Sequence, residues 1–171
     1  MQPRRSLRLV AGALVLALPL LSSCGFGKAT DKVYTPGVGT NDRDGDVDVL
    51  AAVVVAAQPN EGTFVVTLVN NSSEDEAALS GVSGPDLEFG EFEPIEIDPR
   101  GPVNLAQEGG ITLTGDFDAG NVLPLTLTFA SGDTATLNVP VVVACEEYEG
   151  LDLTEASEFI PYDCVAALGE G

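Results

Sequence analysis

The chain has no histidine and no tryptophan, and its single methionine is Met1. Without an imidazole, neither a Ser-His-Asp triad nor a Cys-His pair can be assembled. The three cysteines, Cys24, Cys145 and Cys164, form no Cys-x-x-Cys pair, and no imidazole is at hand to lower a thiol pKa, so thiol catalysis has no motif either. A nucleophile elbow, a phosphate loop and a dinucleotide fingerprint are all missing. Carboxylate pairs suited to glycoside hydrolysis exist among so many acids, but aromatic residues make up only 6% of the chain, too few for the sugar platforms that accompany such sites. The chain is therefore not expected to be an enzyme. Basic residues are scarce as well, 7 Lys and Arg against 27 Asp and Glu, for a net charge of −20. Nucleic acid is excluded as a partner, because phosphate binding needs cations. No apolar run reaches the about 20 residues that a membrane-spanning helix requires.

What is present begins at the N-terminus. Arg4, Arg5 and Arg8 precede the apolar run Leu9–Leu21, and a basic flank, a short apolar core and small residues make a secretory signal. The segment closes on Leu21-Ser22-Ser23-Cys24-Gly25, which resembles the lipobox of bacterial lipoproteins. That resemblance implies a diacylglyceryl (palmitate-bearing) lipid on Cys24 and cleavage before it. The protein would then be extracytoplasmic, with the membrane as a partner through the anchor, at about 0.8 kcal/mol per buried methylene. The alternatives are a secreted protein cut elsewhere and an anchor that is never cut. Losing residues 1–23 removes three of the 7 basic residues and none of the 27 acidic ones, leaving −23. Such acidity solvates a surface, or it recruits a cation or a basic partner. Cys145 and Cys164 then remain as an even pair in an oxidising compartment, which predicts a disulfide. Closing that 19-residue loop contributes about 3 kcal/mol in the chain-entropy picture.

Residues 24–46 read as a Gly-, Asp- and Thr-rich tether, with an edge strand near Tyr34 and Val38. From Val47 the pattern is that of strands. VDVLAAVVVAA (47–57) and TFVVTLVN (63–70) flank a Gln58–Gly62 turn and form a hairpin, with Phe64, Val66 and Leu68 on one face. Ala77–Val82 follows, then Ile95 and Ile97 alternating with Glu96, Val103 and Leu105 with Asn104, and Ile111 and Leu113 with Thr112. Leu123, Leu125, Leu127 and Phe129 share a face opposite Thr126 and Thr128. A tight Ser131-Gly132-Asp133 turn leads to Leu137, Val139 and Val141. Seven or eight short strands, broken by turns and with no long helical period, predict an all-β antiparallel sandwich over 47–143. Residues 144–171 form a strap pinned by the disulfide, with a helical turn near Thr154–Phe159.

NVLPLTLTFASGDTATLNVPVV (121–142) resembles the last hairpin of the periplasmic copper chaperone family PCu(A)C. TFVVTLVNNSSEDEAALSGVSGP (63–85) is similar to an upstream hairpin of that family, and Pro99–Gly115 matches a third segment in outline. The resemblance covers about 47–143 and implies a cupredoxin-like sandwich, within the immunoglobulin-like class. That family holds Cu(I) with paired His and Met. Here its two ligand positions align with Gly110 and Thr112, neither of which can bind Cu(I). The lipobox, the TDKVYTPGVGTNDRDGDVDVL opening and the two-cysteine tail also resemble a narrower group, the LpqE-like lipoproteins of actinobacteria.

The stretch Asp42-Arg43-Asp44-Gly45-Asp46-Val47-Asp48 places Asp42, Asp44, Asp46 and Asp48 as candidate Ca²⁺ ligands. An EF-hand register fails, because with Gly45 as the loop glycine, position twelve is Ala51 rather than Glu. The alternative is a solvated acidic linker. Glu146, Glu147 and Glu149, and Glu88, Glu91 and Glu93, are further acidic clusters, read as solvated edge protection. Two Asn-x-Ser matches at Asn70 and Asn71 read as turn residues. No cofactor is expected. Function narrows to a non-catalytic, lipid-anchored binding or assembly accessory for an unidentified envelope protein. Its rivals are copper handling through unusual ligands, such as reduced Cys145 and Cys164, and weak calcium-dependent adhesion.

Overall fold

The computed structural model describes residues 37–154 together with Tyr162 and Cys164. The signal segment, Cys24, most of the tether and residues 155–159 of the expected helical turn lie outside these described residues. The strands are β1 Thr40–Asp42, β2 Val47–Gln58, β3 Glu61–Asn70, β4 Ala77–Ser83, β5 Leu87–Phe89, β6 Ile95–Ile97, β7 Pro102–Asn104, β8 Ile111–Gly115, β9 Val122–Phe129 and β10 Thr134–Val143. One helical turn, α1 Leu105–Glu108, follows β7, and a 3-10 turn, Glu146–Tyr148, follows β10.

Hydrogen bonding runs continuously in the order β5-β8-β3-β2-β10-β9-β4-β6, with β1 added to β2 and β7 to β3. The path curls into two facing layers because β10 belongs to both. Residues Thr134–Pro140 pair antiparallel with β9, and Val141–Val143 then pair parallel with Val54–Ala56 of β2. This parallel pair departs from the all-antiparallel expectation; every other described pairing is antiparallel. The core lies between the layers. Val49, Val54, Phe64, Leu68 and Leu113 from one layer meet Leu79, Ile97, Leu125, Leu127 and Val139 from the other.

The long apolar run of β2 has two causes. Its inward residues are Val47 and Val49 before Leu50 and Ala52, Val54 and Ala56 after it. A bulge between Leu50 and Val53 shifts the pairing with β3, so the parity of the inward face changes from odd to even within one strand. Ala51 sits in this bulge with φ 53, and its amide donates to Asn41 Oδ1 at 2.8 Å. The second cause is that Val53 and Val55, on the other face, are buried too. A strand covered on both faces reads as an unbroken hydrophobic stretch.

Three further departures from the sequence pattern have local reasons. The edge strand forms at Thr40–Asp42, just past Val38, while Tyr34 lies outside the described residues; Thr40 Oγ1 donates to the carbonyl of Asn138 on β10 at 2.6 Å. The Val103–Leu105 alternation is not one strand. Asn104 ends β7, and its Oδ1 accepts from Ala106 N at 2.9 Å as the cap of α1; Gly109, left-handed at φ 103, closes the turn. Finally, Leu87–Phe89 forms an edge strand against β8 inside a stretch whose acidity hid it.

Candidate functional site

The resemblance directs attention first to Gly110 and Thr112. Gly110 has φ 60, and its amide donates to Leu105 O at 2.7 Å, the exit from α1. A Cβ there would collide with Thr63 Cγ2 and come within 3.1 Å of Phe64 O. Thr112 is the cross-strand partner of Thr63, so both positions lie against the Thr63 side of β3.

That side is already occupied. Thr63 is fully buried; its Oγ1 donates to Asp152 Oδ1 at 3.1 Å and accepts from Leu153 N at 2.8 Å. Asp152 also accepts from Ala57 N at 2.6 Å, from Thr154 N at 3.0 Å and from Thr154 Oγ1 at 2.8 Å. Asp152 thus fastens the segment after β10 to the adjoining strands β2 and β3. Sequence reasoning missed it, since one Asp in an acidic tail carries no distinguishing mark. Asp152→Ala is expected to cost about 2 kcal/mol, the scale of hydrogen bonds to a charged group, read as a lowered urea midpoint. Cys145 and Cys164 are joined in a disulfide with Cα atoms 5.6 Å apart, so neither offers a thiolate in this state.

Tyr162 provides another fastening. Its amide donates to Ala57 O at 2.7 Å; its hydroxyl donates to Asp118 Oδ1 at 3.1 Å and accepts from Ala119 N at 3.1 Å. Burial raises the phenol pKa above its usual 10.0. The Asp118 carboxylate adds to the rise, and the Ala119 amide opposes it. The unfolded chain therefore loses this proton first, so the contribution is complete below pH 10 and disappears as pH climbs through the raised folded value. Chemical denaturation between pH 9 and 11 should show a steeper loss of stability in the wild type than in Tyr162→Phe.

At one end of the sandwich, the β1–β2, β3–β4 and β9–β10 connections converge on a cleft of about 1060 Å³. Asp42, Asp44, Asp46, Asp75, Glu76, Glu96 and Asp133 line it, over an apolar floor of Val47, Ala77 and Phe129. No Lys or Arg occurs among the described residues that line it. Of the four calcium candidates, Asp42, Asp44 and Asp46 face the cleft, and Asp42 Oδ1 accepts from Asp44 N at 2.9 Å. Asp48 stands apart, with Oδ2 paired to Arg43 Nη1 at 3.1 Å and Oδ1 accepting from Asn71 Nδ2 at 2.8 Å. Among the described residues, no three acidic or cysteine side chains are grouped so as to hold a metal ion. Glu88, Glu91, Glu93, Glu146, Glu147 and Glu149 are all exposed and outside the cleft. Asp75, Glu76, Glu96 and Asp133 were not singled out from sequence; they sit in two acidic loops and on β6, whose common end only the topology reveals.

The layered sheet, with β10 shared between its halves, has the fold of PCuAC domains. The copper-bound PCuAC domain from PmoF2 superposes with a TM-score of 0.51 at 18% identity, covering 61% of this chain and 98% of that one. The apo PCuAC domain from PmoF1 gives 0.52 at 16% identity, covering 61% and 99%. No protein-family model matches the sequence, and no curated relative does.

Proposed function

We propose that this chain is an extracytoplasmic lipoprotein, held at the membrane by a lipid on Cys24, whose PCuAC-type sandwich is a non-catalytic binding module. The cleft carries this reading: seven carboxylates and no described cation surround an apolar floor. Low-dielectric walls lined by one sign of charge focus the field outward and speed encounter with a cationic partner. The partner class is a Lys- or Arg-bearing segment of another envelope protein. The LpqE-like resemblance is consistent with such an accessory role.

Cross-linking in native membranes, followed by capture of this chain, tests the reading. Capture should persist with the wild type, weaken as salt rises and vanish with an Asp75→Asn, Glu76→Gln, Asp133→Asn variant. Capture indifferent to both changes would refute the cleft as the docking site. For the anchor, Cys24→Ser should move the protein from the membrane to the soluble fraction.

Copper handling is the second reading, favoured by the likeness to a copper-bound domain. A Cu(I) titration of residues 25–171 under non-reducing conditions, followed by native mass spectrometry, separates the two. One tightly bound copper would place a site among ligands other than His and Met. No binding retires the copper reading and leaves the cleft.

A further inference from the structure

We infer that residues 144–154, directly after β10, form a redox-locked cover over an apolar sheet face. Val53, Val55 and Val65 point away from the core between the layers, yet they are 3%, 0% and 5% exposed. The outer face of such a sheet ordinarily meets water and carries polar residues. Here Tyr148 and Leu151 pack over the three valines, together with Val142, Ala144 and Ala106. The cover is held along the edge of β2 beyond the reach of β10. Ala57 N is bound by Asp152 and Ala57 O by Tyr162 N, and the Cys145–Cys164 bridge closes the segment on itself.

The two sulfurs are not equivalent. Cys145 is 5% exposed, whereas Cys164 is exposed. A dithiol reductant therefore meets Cys164 first. Its thiolate bonds to Cys164 Sγ, the disulfide breaks and Cys145 leaves as thiolate. The second thiol of the reductant then attacks the mixed disulfide and frees Cys164. Two electrons pass from the dithiol to the bridge; one disulfide is consumed, one is formed, and the proton count is unchanged. With the closed loop gone, the remaining hydrogen bonds hold a segment free to open locally while the core between the layers stays intact. Reduction thereby switches an apolar strip from covered to exposed.

The purified chain, oxidised or reduced with dithiothreitol and with its thiols counted, would be offered to a Glu-specific protease and to the dye ANS. Reduction should make cleavage after Glu146, Glu147 or Glu149 at least about tenfold faster, since cleavage tracks the open population. ANS fluorescence should rise, and the melt should remain cooperative. Cys164→Ser should behave as the reduced chain with no reductant present. Limiting glutathione should be found on Cys164. An unchanged cleavage rate with two free thiols overturns the inference. So does loss of the β circular-dichroism signal on reduction, since the bridge would then staple the whole fold rather than a cover, and so does glutathione trapped on Cys145.

Discussion

Gly110→His, which supplies an imidazole at an aligned ligand position, is expected to destabilise the chain by about 3 kcal/mol and to create no copper site. The backbone at Gly110 is left-handed, φ 60, a conformation that costs an L-residue about 1–2 kcal/mol. The new Cβ would also meet Thr63 Cγ2 and Phe64 O inside a packed layer, and overpacking of that kind adds about 1–3 kcal/mol. Thermal unfolding and a Cu(I) titration of the variant check both halves. Unchanged stability together with tight copper binding would mean that the α1–β8 corner moves freely, against the packing described above.

Asn70→Leu should be comparably damaging although it keeps the residue's bulk. Asn70 is 2% exposed at the end of β3. Its Nδ2 donates to Asp75 O at 2.8 Å and to Ile97 O at 3.1 Å, and its Oδ1 accepts from Ser72 N at 2.9 Å. One amide thus shapes the β3–β4 connection and ties it to β6 in the opposite layer. A leucine leaves three backbone groups without their partner, at a cost of about 2–4 kcal/mol. The urea midpoint should fall accordingly. Because the β3–β4 connection lines the acidic cleft, partner capture should weaken even where the variant remains folded. A variant as stable as the wild type would show that water replaces the amide without loss.

The parts of the fold legible in the sequence are those set by neighbours along the chain. β9 and β10 alternate strictly about the turn at 131–133, and the structure pairs Leu125 with Leu137 and Thr126 with Thr136 as that alternation requires. β2 and β3 were legible as a hairpin, but the parity change in β2 was not, since a bulge at Ala51 leaves no mark in a run of Val and Ala. Val103-Asn104-Leu105 has the period of a strand, and only the capping role of Asn104 shows why it turns into α1. The parallel pairing of Val141 with Val54 joins positions far apart in the chain, beyond any local pattern. The cleft was hidden for the same reason: its aspartates lie in, or at the start of, three connections that meet only once the layers have closed. The disulfide was legible from the even cysteine pair alone, but not the sheet face its loop covers.

The cover over Val53, Val55 and Val65 comes from far downstream of the strands it protects, and this orders the birth of the molecule. The β2–β3 hairpin precedes both of its partners in the chain, with one apolar face awaiting β9 and β10 and the other awaiting Tyr148 and Leu151. Both partners follow the hairpin at long sequence distance, and contacts so distant form slowly. Through that interval the hairpin is a sticky, two-sided ribbon that invites aggregation. A chain cut just before Tyr148 would carry every described strand and still present a greasy flank over Val53, Val55 and Val65.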